Sequence, residues 1–307
     1  MEYFENRTPN TQYIELVRRV VDNGERKHTK NRNRPDNFAL SGQTLAFDLR
    51  NGFPIIMEKQ LRPGSQKAII VELLWLLSGR TDLGFVHEHD VHIWDKWADD
   101  SELAKLGLPP GNLGPIYPHQ WRNFGATRLP DGSYAKDGVD QIARLIRQVI
   151  DDPDSKAHKI VAWNPKDFFD DDGHHLVTIV TCHGDFQIFH ADGYLDLCMN
   201  QRSADILIGL PFNIASYAWL LMMIAQLTNF RPRKLTMFLG DAHIYEDQLK
   251  AADDGGRLID QLLGREPRIY PTASLRQGIK DIFGFELSDF HIEGYDPHPP
   301  LDFPVTR

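Results

Sequence analysis

Residues 200–226, NQRSADILIGLPFNIASYAWLLMMIAQ, decide the fold of this chain and also mark its candidate site. Their first half predicts strand and loop. Their second half, from Asn213 on, predicts a buried helix, because the run has almost no polar face. Asn213 is expected at the helix N-cap, behind a proline that stops the preceding loop. Arg202, Ser203 and Asp205 stand just before this helix, and enclosed polar groups of that kind need partners or a ligand. The stretch therefore predicts a site at the mouth of a core helix.

The composition of the 307-residue chain is typical of a soluble globular protein, with 41% hydrophobic and 25% charged residues. A net charge of -9 disfavours nucleic acid, so we expect no DNA partner and a local basic pocket for any phosphate. We expect no membrane span and no signal peptide, because neither apolar pattern is evident. The two cysteines, Cys182 and Cys198, are not expected to form a disulfide, which favours a reducing, cytoplasmic location.

The order of helix and strand patterns predicts an α+β fold, because the two types are mixed without strict alternation. We expect one domain over residues 1–307, with a surface insertion near 100–112 and a variable loop at 124–138. An Asp-Gly turn signal at residues 192–193 predicts a hairpin over 186–199. Further helices are predicted at residues 11–26, 68–78, 139–150 and 258–263, and the start of one at 240–254. Further strands are predicted at 38–49, 53–61, 159–163, 177–181 and 234–239, and residues 114–138 are expected to be mostly loop.

Cys182 is the candidate nucleophile. A buried cysteine is usually an inert small hydrophobe. Here, however, Arg202 lies on a segment that can pair with the strand expected to carry Cys182, and a nearby guanidinium favours the nucleophilic thiolate. Cys198 has no such neighbour and is interpreted as a core residue.

Other polar and aromatic residues have both a structural and a functional interpretation. Glu72 is a lone carboxylate in an apolar helix, where a charge seldom goes unpaired. Arg202 with Ser203 can present a fork of donors to a phosphate, or form a surface ion pair. Asn213 suits the edge of a uracil ring as well as a cap. His243 and Tyr245 can bind a sugar hydroxyl or be ordinary strand-end residues. The acidic run at 167–175 is interpreted as a solvated loop, and no metal is expected.

Several longer motifs resemble those of the thymidylate synthase family. They cover nearly the whole chain in matching order, and GLPFNIASYA is long and specific. The others are CHGDFQIF, QRSAD, GDAHIY, GYDPHP, IIVELLWLLSG, IWDKWAD and GPIYPHQWR. The resemblance implies an α+β sandwich built on a large mixed sheet flanked by helices, and a homodimer formed through that sheet.

The resemblance also implies an activity, the conversion of dUMP to dTMP with 5,10-methylenetetrahydrofolate as donor of both carbon and hydride, yielding dihydrofolate. In this interpretation Cys182 adds to C6 of the pyrimidine, which makes C5 a carbon nucleophile. The remaining roles are carried over residue by residue. Arg202 and Ser203 hold the phosphate, Arg202 also stabilises the thiolate, Asn213 binds the uracil edge, Glu72 relays protons, and Tyr117 supports proton removal from C5. Asp205 binds the pterin and takes part in catalysis, Trp94 and Trp97 line the folate, His243 and Tyr245 contact the deoxyribose, and Arg32 contacts the phosphate.

The chain departs from the family pattern at several positions. Lys156 and Ala157 stand where the family has two arginines that reach the phosphate of the partner subunit. Losing one charge-assisted hydrogen bond costs about 1.5–3 kcal/mol, and His158 and Lys159 are candidate replacements. The chain also carries asparagine at 200, Gly-Asp after the Cys-His pair, and a Val-Thr-Arg end.

Two alternatives stay open in the sequence. One is a folate-dependent 5-hydroxymethylase of dUMP or of CMP or dCMP, in which water instead of hydride quenches the intermediate. The other is a nucleotide- or mRNA-binding regulator without catalysis. Relatives that bind deoxycytidylate tend to carry aspartate at the position of Asn213, so uracil is favoured over cytosine.

Overall fold

The longest strand, Arg231–Tyr245, lies at the centre of a mixed β-sheet. The structure is a computed structural model that describes residues 2–29, 35–61, 64–129 and 131–306. Arg32, a candidate phosphate ligand, lies outside the described residues. Within them the sheet consists of β1 (Glu25–Lys27), β2 (Asn37–Asp48), β3 (Lys159–Ile160), β4 (Asp185–Ala191), β5 (Tyr194–Gln201), β6 (Ala204–Asp205) and β7 (Arg231–Tyr245).

Neighbouring strands follow the order β1-β2-β7-β5-β4-β3, and β6 also pairs with β7. Only β5 and β6 run parallel to β7 among these pairs, and they occupy successive lengths of it. Because β5 ends at Gln201 and β6 begins at Ala204, Arg202 and Ser203 leave the ladder between them. Gly240 faces this break, and a Cβ there would lie 3.0 Å from the Arg202 carbonyl oxygen. Arg202 therefore lies in a gap between two strands that both pair with β7, outside the regular hydrogen bonding of the sheet.

Helices cover one face of the sheet. The core helix α8 packs on β5 and β7 on one side and on α2 on the other. The α-helices are α1 (Gln12–Asn23), α2 (Ser65–Ser78), α3 (Gly84–His87), α4 (Asp100–Lys105), α5 (Tyr117–Arg122), α6 (Gln141–Asp151), α7 (Pro165–Phe168), α8 (Gly209–Leu227), α9 (Glu246–Lys250) and α10 (Leu258–Leu263). Single 3-10 turns occur at Leu49–Asn51, Asp95–Trp97, Ile282–Gly284 and Leu287–Asp289. Two small ribbons pair β8 (Ala252–Asp253) with β9 (Gly256–Arg257) and β10 (Thr272–Leu275) with β11 (Phe290–Glu293).

The core helix begins earlier than its sequence predicts. It starts at Gly209, so Pro211 lies in its first turn and Asn213 lies within the helix. The prediction of Asn213 as an N-cap is therefore wrong. A proline is tolerated in the first turn, because the N–H it lacks would have no partner within the helix there. By length and composition α8 could cross a membrane, contrary to the sequence-based expectation, but 83% of its apolar window is buried inside the fold, as in a core helix.

The other face of the sheet is open in the single chain. Side chains alternate along β7, so that Leu235, Met237 and Leu239 are buried against the helices while Phe238 is 44% exposed on the opposite face. Thr44 and Asn200 pair with Phe238 and share that face. This open face, defined here by the row Thr44, Phe238 and Asn200, is where a second protein surface can pack.

Most predicted elements form, and the exceptions follow from tertiary pairing. The hairpin of β4 and β5 is confirmed, and Asp192 and Gly193 both have positive φ, as a tight two-residue turn requires. The strands predicted at 53–61 and 177–181 do not form, and residues 25–27 form β1 instead of the end of a helix. The GDAHIY segment extends β7 instead of starting a helix. Residues 117–122 form α5, where loop was expected.

Candidate active site

Cys182 lies in a loop directly before β4, next to Arg202 where that arginine leaves the ladder. Arg202 Nη2 is 3.4 Å from Cys182 Sγ, and the Arg202 backbone N–H donates to the Cys182 carbonyl oxygen at 2.7 Å. The guanidinium is held further by the carbonyl oxygens of Thr181, at 3.2 Å from Nε, and Val180, at 3.3 Å from Nη2. A fixed cation beside a sulfur favours the thiolate. The predicted proximity of these two residues is therefore present, but Cys182 lies in a loop and not on the strand that was expected to carry it.

The backbone of the Cys182 loop is clamped by α5. The Cys182 backbone N–H donates to the Tyr117 hydroxyl at 2.8 Å, and Trp121 Nε1 donates to the Gly184 carbonyl oxygen at 3.0 Å. Gly184 has a φ of 108°, and a Cβ there would lie 2.5 Å from the Ala162 Cβ. Only glycine fits that position without displacing the neighbour. The loop that carries the sulfur is thus fixed at both the cysteine and the glycine.

A second chain of contacts leads from Tyr117 to Glu72. The rings of Tyr117 and Trp94 lie 5.9 Å apart, and Trp94 Nε1 donates to Glu72 Oε1 at 2.8 Å. Trp97 stands beside Trp94 with a centroid distance of 5.4 Å. Burial within α2 raises the pKa of Glu72 to about 7, and the indole hydrogen bond lowers it by less. A carboxyl group with a pKa near neutrality can both give and take a proton.

His183 and Tyr217 also lie near Cys182, and the sequence interpretation assigned neither of them a role. The His183 ring stacks on Tyr117 at 4.4 Å, and its Nδ1 is 3.0 Å from the Tyr217 hydroxyl. Burial lowers the pKa of His183 to about 3, so the ring is neutral. Tyr217 follows Asn213 by four residues in α8, so both lie on one helical face. That spacing was the sequence signal for Tyr217.

Asp205 belongs to a neighbouring cluster at the end of β7. Its Oδ2 accepts from Gln248 Nε2 at 2.9 Å, and its Oδ1 accepts the backbone N–H groups of the two residues just before α8. Burial raises the pKa of Asp205. His243 pairs with Asp205 across the two strands, and its ring lies 4.9 Å from that of Tyr245. His243 and Tyr245 are 5% and 2% exposed, so both are buried strand residues.

The candidate substrate ligands differ in how they are placed. Asn213 is only 8% exposed, and within the described part of the chain its amide has no hydrogen-bond partner. Ser203 lies in the break beside Arg202, where its carbonyl oxygen accepts from Gln201. Lys156 is exposed, and its carbonyl oxygen accepts from Gln187 at 2.7 Å. His158 is 1% exposed and bonded to a backbone carbonyl, which rules it out as a replacement phosphate cation.

A cleft of about 360 Å³ opens beside Cys182 and reaches the open face of the sheet. Trp163 lines it, with the Arg202 guanidinium 5.6 Å from its ring, so this tryptophan is a further residue that the sequence interpretation left without a role. Asn200 and Phe238 line the side toward the open face. The cleft therefore places a nucleophile and a guanidinium at a surface that a second subunit can cover.

The chain was compared with the sequence models of known protein families. The family described as thymidylate synthase matches residues 11–307. The match covers essentially the whole described fold, including every candidate site residue named above.

Proposed function

The chain belongs to the thymidylate synthase family, and on that premise we propose that it converts dUMP to dTMP with 5,10-methylenetetrahydrofolate. Membership implies an enzyme that transfers a one-carbon unit to C5 of a pyrimidine. The observation that carries the finer proposal is the contact between Cys182 Sγ and Arg202 Nη2, at 3.4 Å. It supports a nucleophilic sulfur next to a phosphate-binding cation.

Cys182 starts the proposed reaction by forming an S–C6 bond. The electron pair of the C5–C6 double bond then moves to C5 and O4, which makes C5 a nucleophile. Asn213 is suited to this step, because its amide can donate to O4 and accept from N3–H. Once C5 has bonded to the one-carbon unit, the C5 proton passes to the Tyr117 hydroxyl oxygen as that hydroxyl gives its own proton to solvent, and Cys182 leaves as thiolate when the C5–C6 double bond re-forms. Arg202 stabilises the sulfur in both states in which it is anionic.

The folate supplies the one-carbon unit and the hydride when it is bound. Three features of the chain fit such a molecule: the paired indoles of Trp94 and Trp97, the carboxyl of Glu72 beside them, and the carboxylate of Asp205. The two indoles are inclined at 56° to each other, and their apolar surface can contact a fused ring. Glu72, with its pKa raised to about 7, holds a proton near the pterin or near O4.

Product analysis tests the proposal directly. The protein is incubated with dUMP and methylenetetrahydrofolate, and the nucleotide product is weighed by mass spectrometry. We expect a methyl group at C5 and dihydrofolate as the second product. A hydroxymethyl group in its place would replace this assignment with the hydroxymethylase, and the absence of any product would favour the binding-only interpretation.

Tyr117→Phe is expected to lower kcat by about 10²-fold while KM changes little. The change removes the hydroxyl that is proposed to take the C5 proton and that accepts from the Cys182 backbone N–H at 2.8 Å. Steady-state kinetics with dUMP and folate measures both constants. Tyr134→Phe is the matched control, because its hydroxyl bonds Asp167 away from the cleft. Equal losses in both variants, or an unchanged kcat in the first, would contradict the role.

We further propose that the active form is a homodimer packed through the open face. A partner on that face would cover Phe238 and the mouth of the cleft, and the exposed Lys156 would supply its charge across the interface. With Ala157 at the second position, phosphate affinity is expected to be about ten- to hundred-fold weaker than with two arginines.

Phe238→Asp is therefore expected to give a monomer with weakened dUMP binding, because it places a charge in the middle of an apolar contact. Sedimentation velocity measures the mass and steady-state kinetics the KM. Ile150→Asp in α6 serves as the control, because Ile150 is 54% exposed but does not belong to the open face. A Phe238→Asp protein that stays dimeric, or a fully active monomer, would refute the proposed assembly.

A further inference from the structure

Three metal-ligating side chains meet on the surface after α3: His87, His92 and Asp95. One donor atom from each lies within 4.8 Å of the others. His87 Nε2 is 2.7 Å from Asp95 Oδ1, and His92 Nδ1 is 3.0 Å from Asp95 Oδ2. The two imidazole rings stack with centroids 4.9 Å apart. We propose that this cluster, called here the His-Asp-His site, binds a divalent transition-metal ion of the Zn²⁺ type.

The donor set selects the class of ion. Two imidazoles and one carboxylate are ligands that Zn²⁺, Co²⁺ and Ni²⁺ prefer, whereas Mg²⁺ and Ca²⁺ prefer oxygen ligands alone. Metal–ligand bonds of about 2 Å in a tetrahedron place neighbouring ligand atoms roughly 3.3 Å apart. The His92–Asp95 distance of 3.0 Å is about 0.3 Å shorter than that spacing and the His87–Asp95 distance of 2.7 Å about 0.6 Å shorter, so small side-chain rotations would admit an ion. Because all three side chains are exposed, water can take the fourth position.

The backbone around the site is held in place before any ion binds. The Val91 backbone N–H donates to the Val86 carbonyl oxygen at 3.0 Å, and both valines are buried. Asp90 adopts a positive φ of 53° to close this turn. Trp94, which precedes Asp95, is anchored by its hydrogen bond to Glu72. A backbone fixed in this way loses little conformational entropy on binding, so the entropic cost is confined to the three side chains.

The site lies away from the open face of the sheet. α3 packs on α2, and α2 packs on α8, which covers the opposite face. A dimer formed through the open face would therefore leave the three ligands accessible. Asp95 directly follows Trp94 and precedes Trp97 by two residues, so a bound ion would hold the segment that carries both tryptophans. Metal binding at the His-Asp-His site does not depend on the proposed function. Only an effect of the bound ion on folate binding would rest on it.

The experiment titrates untagged, chelator-treated protein with Co²⁺. Absorption bands of the bound ion report its coordination, and quenching of tryptophan emission reports that the ion binds near an indole. We expect saturation at one equivalent, displacement by Zn²⁺ and no displacement by Mg²⁺. His87→Ala and His92→Ala are each expected to weaken binding by about tenfold or more. The titration is repeated in a Cys182→Ser background, which removes a competing sulfur ligand.

His174→Ala is the matched control, because His174 forms an exposed pair with Asp170 at 3.1 Å in the acidic loop at 167–175. This variant is expected to bind Co²⁺ as the unaltered protein does. Two results would overturn the proposal: no saturable binding by the unaltered protein, or a titration curve that neither His87→Ala nor His92→Ala changes. Circular dichroism of each variant confirms that it is folded, so that a lost signal reports a lost ligand.

Discussion

Cys182→Ser is expected to lower kcat by about 10⁴-fold or more, the largest effect of any single substitution in this chain. A serine hydroxyl is a far weaker nucleophile than a thiolate, because its much higher pKa keeps it protonated at neutral pH. Arg202 favours an anion on sulfur, but it cannot remove a proton from a hydroxyl. Steady-state formation of dTMP measures the loss.

Cys198→Ser is the control for this variant. Cys198 lies in β5, and burial raises the pKa of its thiol, which makes it a poor nucleophile. The control should keep kcat within a few-fold of the unaltered protein. If Cys182→Ser retained substantial activity, or if the two substitutions cost the same, the assignment of the nucleophile would be wrong.

Glu72→Gln is expected to lower kcat by about 10³-fold and, at pH 8, to stabilise the fold. Activity falls because an amide cannot relay protons. Stability rises because burial raises the pKa of Glu72 to about 7, against a usual value of 4.5. Between pH 4.5 and pH 7 the carboxyl of Glu72 is ionised in the unfolded chain but still protonated in the folded one, so the free energy of unfolding declines as the pH rises. Above pH 7 the buried carboxylate lowers the free energy of unfolding by about 3 kcal/mol, and a neutral glutamine removes this loss.

Urea denaturation at pH 4.5 and at pH 8 measures the stability change, which should appear only at the higher pH. The kcat profile should also lose its inflection near pH 7. Glu58→Gln is the matched control: burial raises the pKa of Glu58 to about 6, so a gain of about 2 kcal/mol at pH 8 is expected without loss of activity. A Glu72→Gln protein with normal activity, or one destabilised at pH 8, would contradict the proposed state of this carboxyl.

Apolar continuity and turn chemistry made the central elements predictable from the sequence. The runs in α2 and α8 have almost no polar face, and Asp192-Gly193 suits only a tight hairpin turn. The prediction missed α5, because YPHQWR has no apolar period and a proline at its second position. It also missed the full length of β7, since GDAHIY is polar and becomes a strand only through pairing with β2 and β6.

The site was predictable to the extent that its residues are unusual where they stand. Arg202 and Glu72 are charged groups next to apolar segments, and both contact the residues that surround Cys182. The links between them were not predictable, because the bonds from Tyr117 to Cys182 and from Trp94 to Glu72 join positions 65 and 22 residues apart. His183 and Tyr217 were missed for the same reason, since they contact each other across 34 positions and only the four-residue spacing of Tyr217 from Asn213 was visible in the sequence.

The most direct test of this account is to identify the residue that forms a covalent bond to the pyrimidine. The protein is incubated with 5-fluoro-dUMP and methylenetetrahydrofolate, digested, and mapped by mass spectrometry. Because the fluorine blocks proton removal from C5, the covalent intermediate should accumulate on the peptide that carries Cys182 and on no other. An adduct on a different residue, or no adduct under conditions in which the protein turns over dUMP, would contradict covalent catalysis by Cys182.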